Sequence, residues 1–127
     1  MSPPRVLVAE DYDDARDVMA VVLESAGFQV IEARDGVEAL DAARALRPAV
    51  IVMDMFMPNM DGLAATRALR DEPALRRIPV IAQTAQPSVV SEARELFDAV
   101  LGKPCSPDIL IRTICEVLGN PEPCVRV

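Results

Sequence analysis

Five residues able to do chemistry stand directly after runs of apolar side chains: the pair Glu10-Asp11, then Asp54, Thr84 and Lys103. If those runs are parallel strands of one sheet, three carboxylates, a hydroxyl and an ammonium converge on its carboxyl edge. Ligands of open α/β sheets sit at that edge. Two carboxylates about 4 Å apart repel by roughly 4 kcal/mol at an intermediate dielectric. A cation must neutralise them, or one must hold a proton. Oxygen ligands without a histidine or thiolate point to Mg²⁺, which keeps several waters and binds alongside phosphate.

Apolar and amphipathic segments alternate along the chain as this convergence requires. Arg5-Val6-Leu7-Val8-Ala9 reads as a buried strand. A helix follows, capped by Asp13 or Asp14, burying Val18, Met19, Val22 and Leu23 and ending at Gly27. Phe28 to Ile31 alternates like a strand, and Asp35-Gly36 turns into a helix carrying Val37, Leu40 and Leu46. Ala49 to Met53 is the most apolar strand and so the central one. Leu63 to Leu69 reads as helical, Pro79 to Ala82 as a strand and Val89 to Leu96 as a short helix. Ala99 to Leu101 is a fifth strand, and Pro107 opens a last helix that runs to Leu118. Five βα units in series predict a doubly wound α/β fold: five parallel strands, five helices on both faces, right-handed crossovers. Residues 1–119 read as one domain and 120–127 as a short tail.

Composition narrows the function classes. The 127 residues are 51% apolar, enough for one ordered core, and only 3% aromatic, so aliphatic side chains and Ala must fill it. The formal charge of −7 argues against direct nucleic-acid binding. Cys105, Cys115 and Cys124 are too far apart for a CxxC motif, and the chain has no histidine, which excludes the usual zinc constellations. Reduced, structurally neutral thiols are expected. The N-terminus does not read as a signal peptide, and no apolar stretch approaches the roughly 20 residues of a membrane span. A soluble, cytoplasmic protein is expected.

Glu10-Asp11, the run Asp54-Met55-Phe56-Met57-Pro58-Asn59-Met60-Asp61-Gly62, Thr84-Ala85 and Lys103-Pro104 together resemble the receiver domain of bacterial response regulators. The resemblance extends from Arg5 to about Leu118. It implies the flavodoxin-like strand order 2-1-3-4-5, an order that a chemotaxis member of that family shows. It further implies that Asp54 is the phosphoacceptor, and that Asp11, Asp54 and the Phe56 backbone carbonyl hold Mg²⁺, with Glu10 acting through a coordinated water. Lys103 would pair with one phosphoryl oxygen, Thr84 would hydrogen-bond another, and Lys103-Pro104 would be cis. The donor implied is a histidine kinase or histidine phosphotransfer protein, docking near Ala15, Met19 and Val22. The output would be contact with a downstream protein that the sequence does not identify. Such a protein is a switch rather than a conventional enzyme.

Singly, each of these residues has a plainer explanation: an aspartate after a strand is commonly a turn residue or helix cap, and a lone Lys or Thr a solvated side chain. Their joint placement argues for a site. Asp61-Gly62 reads as a structural cap, and Met53, Met55, Met57 and Met60 as packing. Three positions depart from the family pattern. Val100 stands where an aromatic switch residue is usual. The stretch from Thr84 to Lys103 is shorter by roughly one helical turn and lacks a glycine before the fifth strand. Phe56 places a bulky apolar group beside the phosphoacceptor, which predicts slow loss of phosphate. A dehalogenase-type phosphatase would need an acid at position 56. A pseudo-receiver that binds partners without phosphorylation is the remaining alternative.

Overall fold

Apolar runs too short for helices become strands, and each is flanked by an amphipathic segment that covers it. The computed structural model describes residues 3–119; the expected tail 120–127 lies outside them. In chain order the elements are β1 (Arg5–Ala9), α1 (Asp13–Ser25), β2 (Gln29–Ala33), α2 (Gly36–Leu46), β3 (Val50–Asp54), α3 (Gly62–Asp71), β4 (Val80–Thr84), a 3₁₀ segment (Pro87–Leu96), β5 (Ala99–Gly102) and α4 (Pro107–Val117). The strands form one sheet ordered β2-β1-β3-β4-β5, and every neighbouring pair is parallel. The expected architecture and strand order hold.

Alternate residues of the central strands feed two cores. On one face Leu7, Ile51, Met53, Val80 and Ala82 pack with Leu40 of α2, Leu69 of α3 and Val90 of the 3₁₀ segment. On the other, Val6, Val8, Val50, Val52 and Ile81 pack with Leu23 of α1 and with Leu110 and Ile114 of α4. β3 is buried along its whole length, as its composition predicts.

Several local expectations are corrected. Five helices were expected, whereas the described residues form four α-helices and one 3₁₀ segment. Pro87 starts that segment, Ser91 Oγ donates back to the Ser88 carbonyl at 2.8 Å, and Ala93 leaves helical geometry at φ −116° and ψ 23°. Side-chain bonds of this kind compete with the backbone ladder and favour short, tight turns over a continuous α-helix. Neither Asp13 nor Asp14 caps α1; Tyr12 holds the cap position without a side-chain bond, and both acids lie in the first turn. Val18, expected to be buried, is exposed on the outer side of α1, and Val37 and Leu46 of α2 are exposed as well. Cys115 is disulfide-bonded rather than reduced, while Cys105 is a free thiol. No helix among the described residues is long and apolar enough to cross a membrane.

Candidate functional site

The carboxyl ends of β1, β3, β4 and β5 place the candidate residues. Glu10 follows β1 and continues its ladder by donating from its backbone N to the Ala33 carbonyl at 3.0 Å. Asp54 is the last residue of β3, and Thr84 that of β4. Lys103 follows β5, and its backbone N donates to the Thr84 carbonyl at 2.9 Å. The Lys103–Pro104 peptide is cis. Beyond β3 the loop is pinned at both ends. Asp61 accepts from Ala64 N at 2.8 Å and so caps α3, as the Asp61-Gly62 pair suggested. Asn59 Nδ2 donates to Asp35 Oδ2 at 2.8 Å, and Gly36 N donates to the Met60 carbonyl at 2.9 Å. A Cβ at residue 36 would come within 2.4 Å of that carbonyl, so the close approach of the two loops requires glycine there.

Glu10, Asp11 and Asp54 come together: each offers a carboxylate oxygen, and the three lie within 4.8 Å of one another. Glu10 and Asp54 are buried, while Asp11 is exposed at the mouth. Lys103 Nζ stands 2.6 Å from Glu10 Oε1 and 3.2 Å from Asp54 Oδ2. Burial, followed by the neighbouring Asp54 carboxylate, pushes the Glu10 carboxyl up to about 7 against the pull of Lys103. Burial works against the charge on Lys103, but the bond to Glu10 and the charge of Asp54 outweigh it, so its pKa rises. Asp54 Oδ1 accepts from Phe56 N at 3.3 Å, and the Phe56 ring is 54% exposed beside it.

Glu10 Oε2 is buried without a hydrogen-bond partner, and such an atom costs about 1–3 kcal/mol or more when charged. An uncompensated oxygen, two further carboxylates and no nitrogen or sulfur donor fit a hard divalent cation. Thr84 is also at the site edge but fully buried, and its Oγ1 accepts from Gln86 N at 3.0 Å. Its hydroxyl is thus engaged with its own loop. Val100 is half-buried and, with Pro87, Val90, Ser91 and Arg94, lines a cleft of about 260 Å³ where the usual ring is missing.

Ala15 and Met19 line a groove of about 600 Å³ beside the carboxylates, together with Val18, Ala85, Pro104 and Cys105. Val22, grouped with them from the sequence, is half-buried and outside that lining. Sequence reasoning missed Arg16, whose guanidinium reaches the Glu10 carbonyl at 2.9 Å. The signal for it was slight: an arginine one turn inside a helix that begins with two acids.

The family model for the response regulator receiver domain matches residues 6–115. The polar-differentiation response regulator DivK of Brucella anthropi is 38% identical over 121 residues, covering 93% of this chain and 98% of that protein. The chemotaxis response regulator CheY4 of Vibrio cholerae has a solved structure with TM-score 0.85 at 30% identity, covering 91% of this chain and 99% of that one. The receiver domain of the sensor histidine kinase PA1611 from Pseudomonas aeruginosa PAO1, solved with a magnesium ion coordinated in the active-site cleft, has TM-score 0.82 at 29% identity. It covers 94% of this chain and 100% of that one.

Proposed function

The chain belongs to the response regulator receiver domain family, and from that premise we propose that it is a switch phosphorylated on Asp54 by a phosphohistidine donor with Mg²⁺. The observation that carries the reading is the state of Asp54: 5% exposed at the end of the central strand, with an ammonium 3.2 Å away and two carboxylates beside it.

An Asp54 carboxylate oxygen attacks the phosphorus of a donor phosphoimidazole, the P–N bond breaks, and the imidazole leaves with a proton. The product is an acyl phosphate. Phosphoryl transfer is mainly positioning and charge neutralisation. Lys103 supplies an ammonium at the oxygens of the transferred group, and Asp11, Asp54, the Phe56 carbonyl and Glu10 through a water would hold the cation. When bound, Mg²⁺ draws off negative charge from the phosphoryl oxygens. The PA1611 receiver domain, solved with magnesium in its active-site cleft, supports this assignment by likeness. Thr84 takes part after transfer by releasing Gln86 N and turning its hydroxyl toward the new group. The modification adds about −1.5 to −2 charge, and the change in Thr84 shifts β4 and the 3₁₀ segment between two states. The groove beside Ala15 and Met19 receives a histidine kinase or histidine phosphotransfer protein, and the output is protein contact in the cytoplasm. Residues 1–119 form the switch, with 120–127 as its tail.

Intact-protein mass after incubation with Mg²⁺ and acetyl phosphate tests the reading. One phosphoryl adduct, absent in EDTA and absent in Asp54→Asn, is the expected result. A chain that folds but takes no adduct is instead a phosphorylation-independent binding module, a reading favoured by the kinked 3₁₀ segment and the ringless cleft at Val100.

A further inference from the structure

Arg16 lies one turn inside α1, and its side chain is only 11% exposed. Its guanidinium serves three acceptors on three parts of the fold. Nη1 donates to the Glu10 backbone carbonyl at 2.9 Å, Nη2 to Asp13 Oδ1 at 2.6 Å in the first turn of α1, and Nε to Glu32 Oε1 at 3.2 Å on β2. Burial opposes the charge, but Asp13 and Glu32 more than offset it and hold the group cationic. A planar fork of five N–H donors is preorganised to serve acceptors in three directions, whereas an ammonium must order a flexible stem to do so.

The position of the carbonyl gives this clamp its meaning. Glu10 is the point where β1 stops being a strand: its N still bonds to β2, while its carbonyl meets Arg16 instead. That carbonyl is part of the peptide unit leading into Asp11, and a planar peptide transmits its orientation directly to the next residue. The two neighbouring carboxylates thus depart from a peptide held on one side by β2 and on the other by α1. From this geometry we infer that Arg16 is a positioning residue for the Glu10–Asp11 pair, fixing the backbone from which both carboxylates reach the divalent cation. The inference rests on the reading of the site as a cation site. Groups that orient ligands from behind typically change metal affinity by about 10- to 100-fold when removed.

Mg²⁺ titration of the whole chain, followed by calorimetry and by Tyr12 emission, tests it without any phosphoryl donor. Tyr12 adjoins Asp11 and is the single tyrosine of a chain that has no tryptophan. Arg16→Met is expected to raise the half-saturating Mg²⁺ concentration about tenfold. Glu32→Gln weakens one ion pair but keeps the bond to the Glu10 carbonyl, so it is expected to titrate like the wild type. If Arg16→Met does not fold, Arg16→Lys carries the same comparison, with an intermediate shift expected. Unchanged Mg²⁺ affinity in a folded Arg16 variant overturns the inference, and so does a Glu32→Gln defect equal to that of Arg16→Met. A wild type that takes no Mg²⁺ at all overturns the reading of the site, and the positioning role falls with it.

Discussion

Lys103 Nζ is closer to Glu10 than to Asp54, at 2.6 Å against 3.2 Å, so a single ammonium is shared unevenly by two buried carboxylates. The resemblance assigned Lys103 to the phosphoryl group on Asp54. In the structure it also neutralises Glu10, and any charge arriving at Asp54 must draw it away from that bond. Removing either partner of a buried pair strands the other charge.

Lys103→Met is therefore expected to slow adduct formation from acetyl phosphate about a hundredfold, the usual cost of losing one preorganised donor to a transferring group. A time course of intact-protein mass at saturating Mg²⁺ reads the rate. A wild-type rate in a folded variant would remove Lys103 from the transfer.

The Glu10 carboxyl, raised to about 7 from an ordinary 4.5, sets a sign for stability against pH. A group bound more tightly to its proton when folded stabilises fully below its unfolded pKa and loses that contribution as pH rises through the folded one. In EDTA, the stability of the wild type relative to Glu10→Gln is expected to fall by roughly 3 kcal/mol between about pH 4.5 and pH 8. Excess Mg²⁺, which favours the ionised form, is expected to flatten that slope. Thermal denaturation across the range checks it, and parallel curves in EDTA would show that Glu10 ionises normally in the fold.

Phe56 is over half exposed next to the nucleophile, with its backbone N on Asp54 Oδ1. If Asp54 carries the phosphoryl group as proposed, that ring is expected to limit the approach of water to the acyl phosphate. Phe56→Asn is expected to shorten the half-life of phosphorylated Asp54 about tenfold, a change of about 1.4 kcal/mol in barrier, by admitting and orienting water. Mass spectra taken after donor removal give the half-life, and equal decay in both proteins would reject the screening role.

A Cβ at residue 62 would lie 2.1 Å from the Asp54 carbonyl and 2.6 Å from Met55 Cε. Gly62→Ala is thus expected to push α3 off β3, destabilising by about 1–3 kcal/mol and lowering the phosphorylation rate with it. Chemical denaturation and the adduct time course should change together. An unchanged midpoint would mean that the joint between β3 and α3 yields freely.

What could be read from the sequence was whatever depends on local pattern. Four polar residues following apolar runs were enough to put Glu10, Asp54, Thr84 and Lys103 on one edge, because parallel strands all end on the same side. Helix capping by Asp61 was equally local. The 3₁₀ geometry of Pro87–Leu96 was not legible, since its apolar spacing suits a helix and the decisive side-chain bond depends on backbone already in place. Arg16 went unseen because two of its acceptors, Glu32 and the Glu10 carbonyl, become neighbours only when β2 is laid beside β1. The sharing of Lys103 between two carboxylates likewise turns on side-chain directions that residue spacing does not carry.

The alternation of β1, β3 and β4 between two cores has a consequence for how the chain melts. Val52 faces α1 and α4 while its neighbour Met53 faces α2 and α3, and both hang from the same hydrogen-bonded backbone. Neither layer of helices can be released without exposing strands that also close the opposite layer. Unfolding is therefore expected to be one cooperative event, with the calorimetric enthalpy equal to the van't Hoff enthalpy and a cavity opened on either face lowering the same single transition.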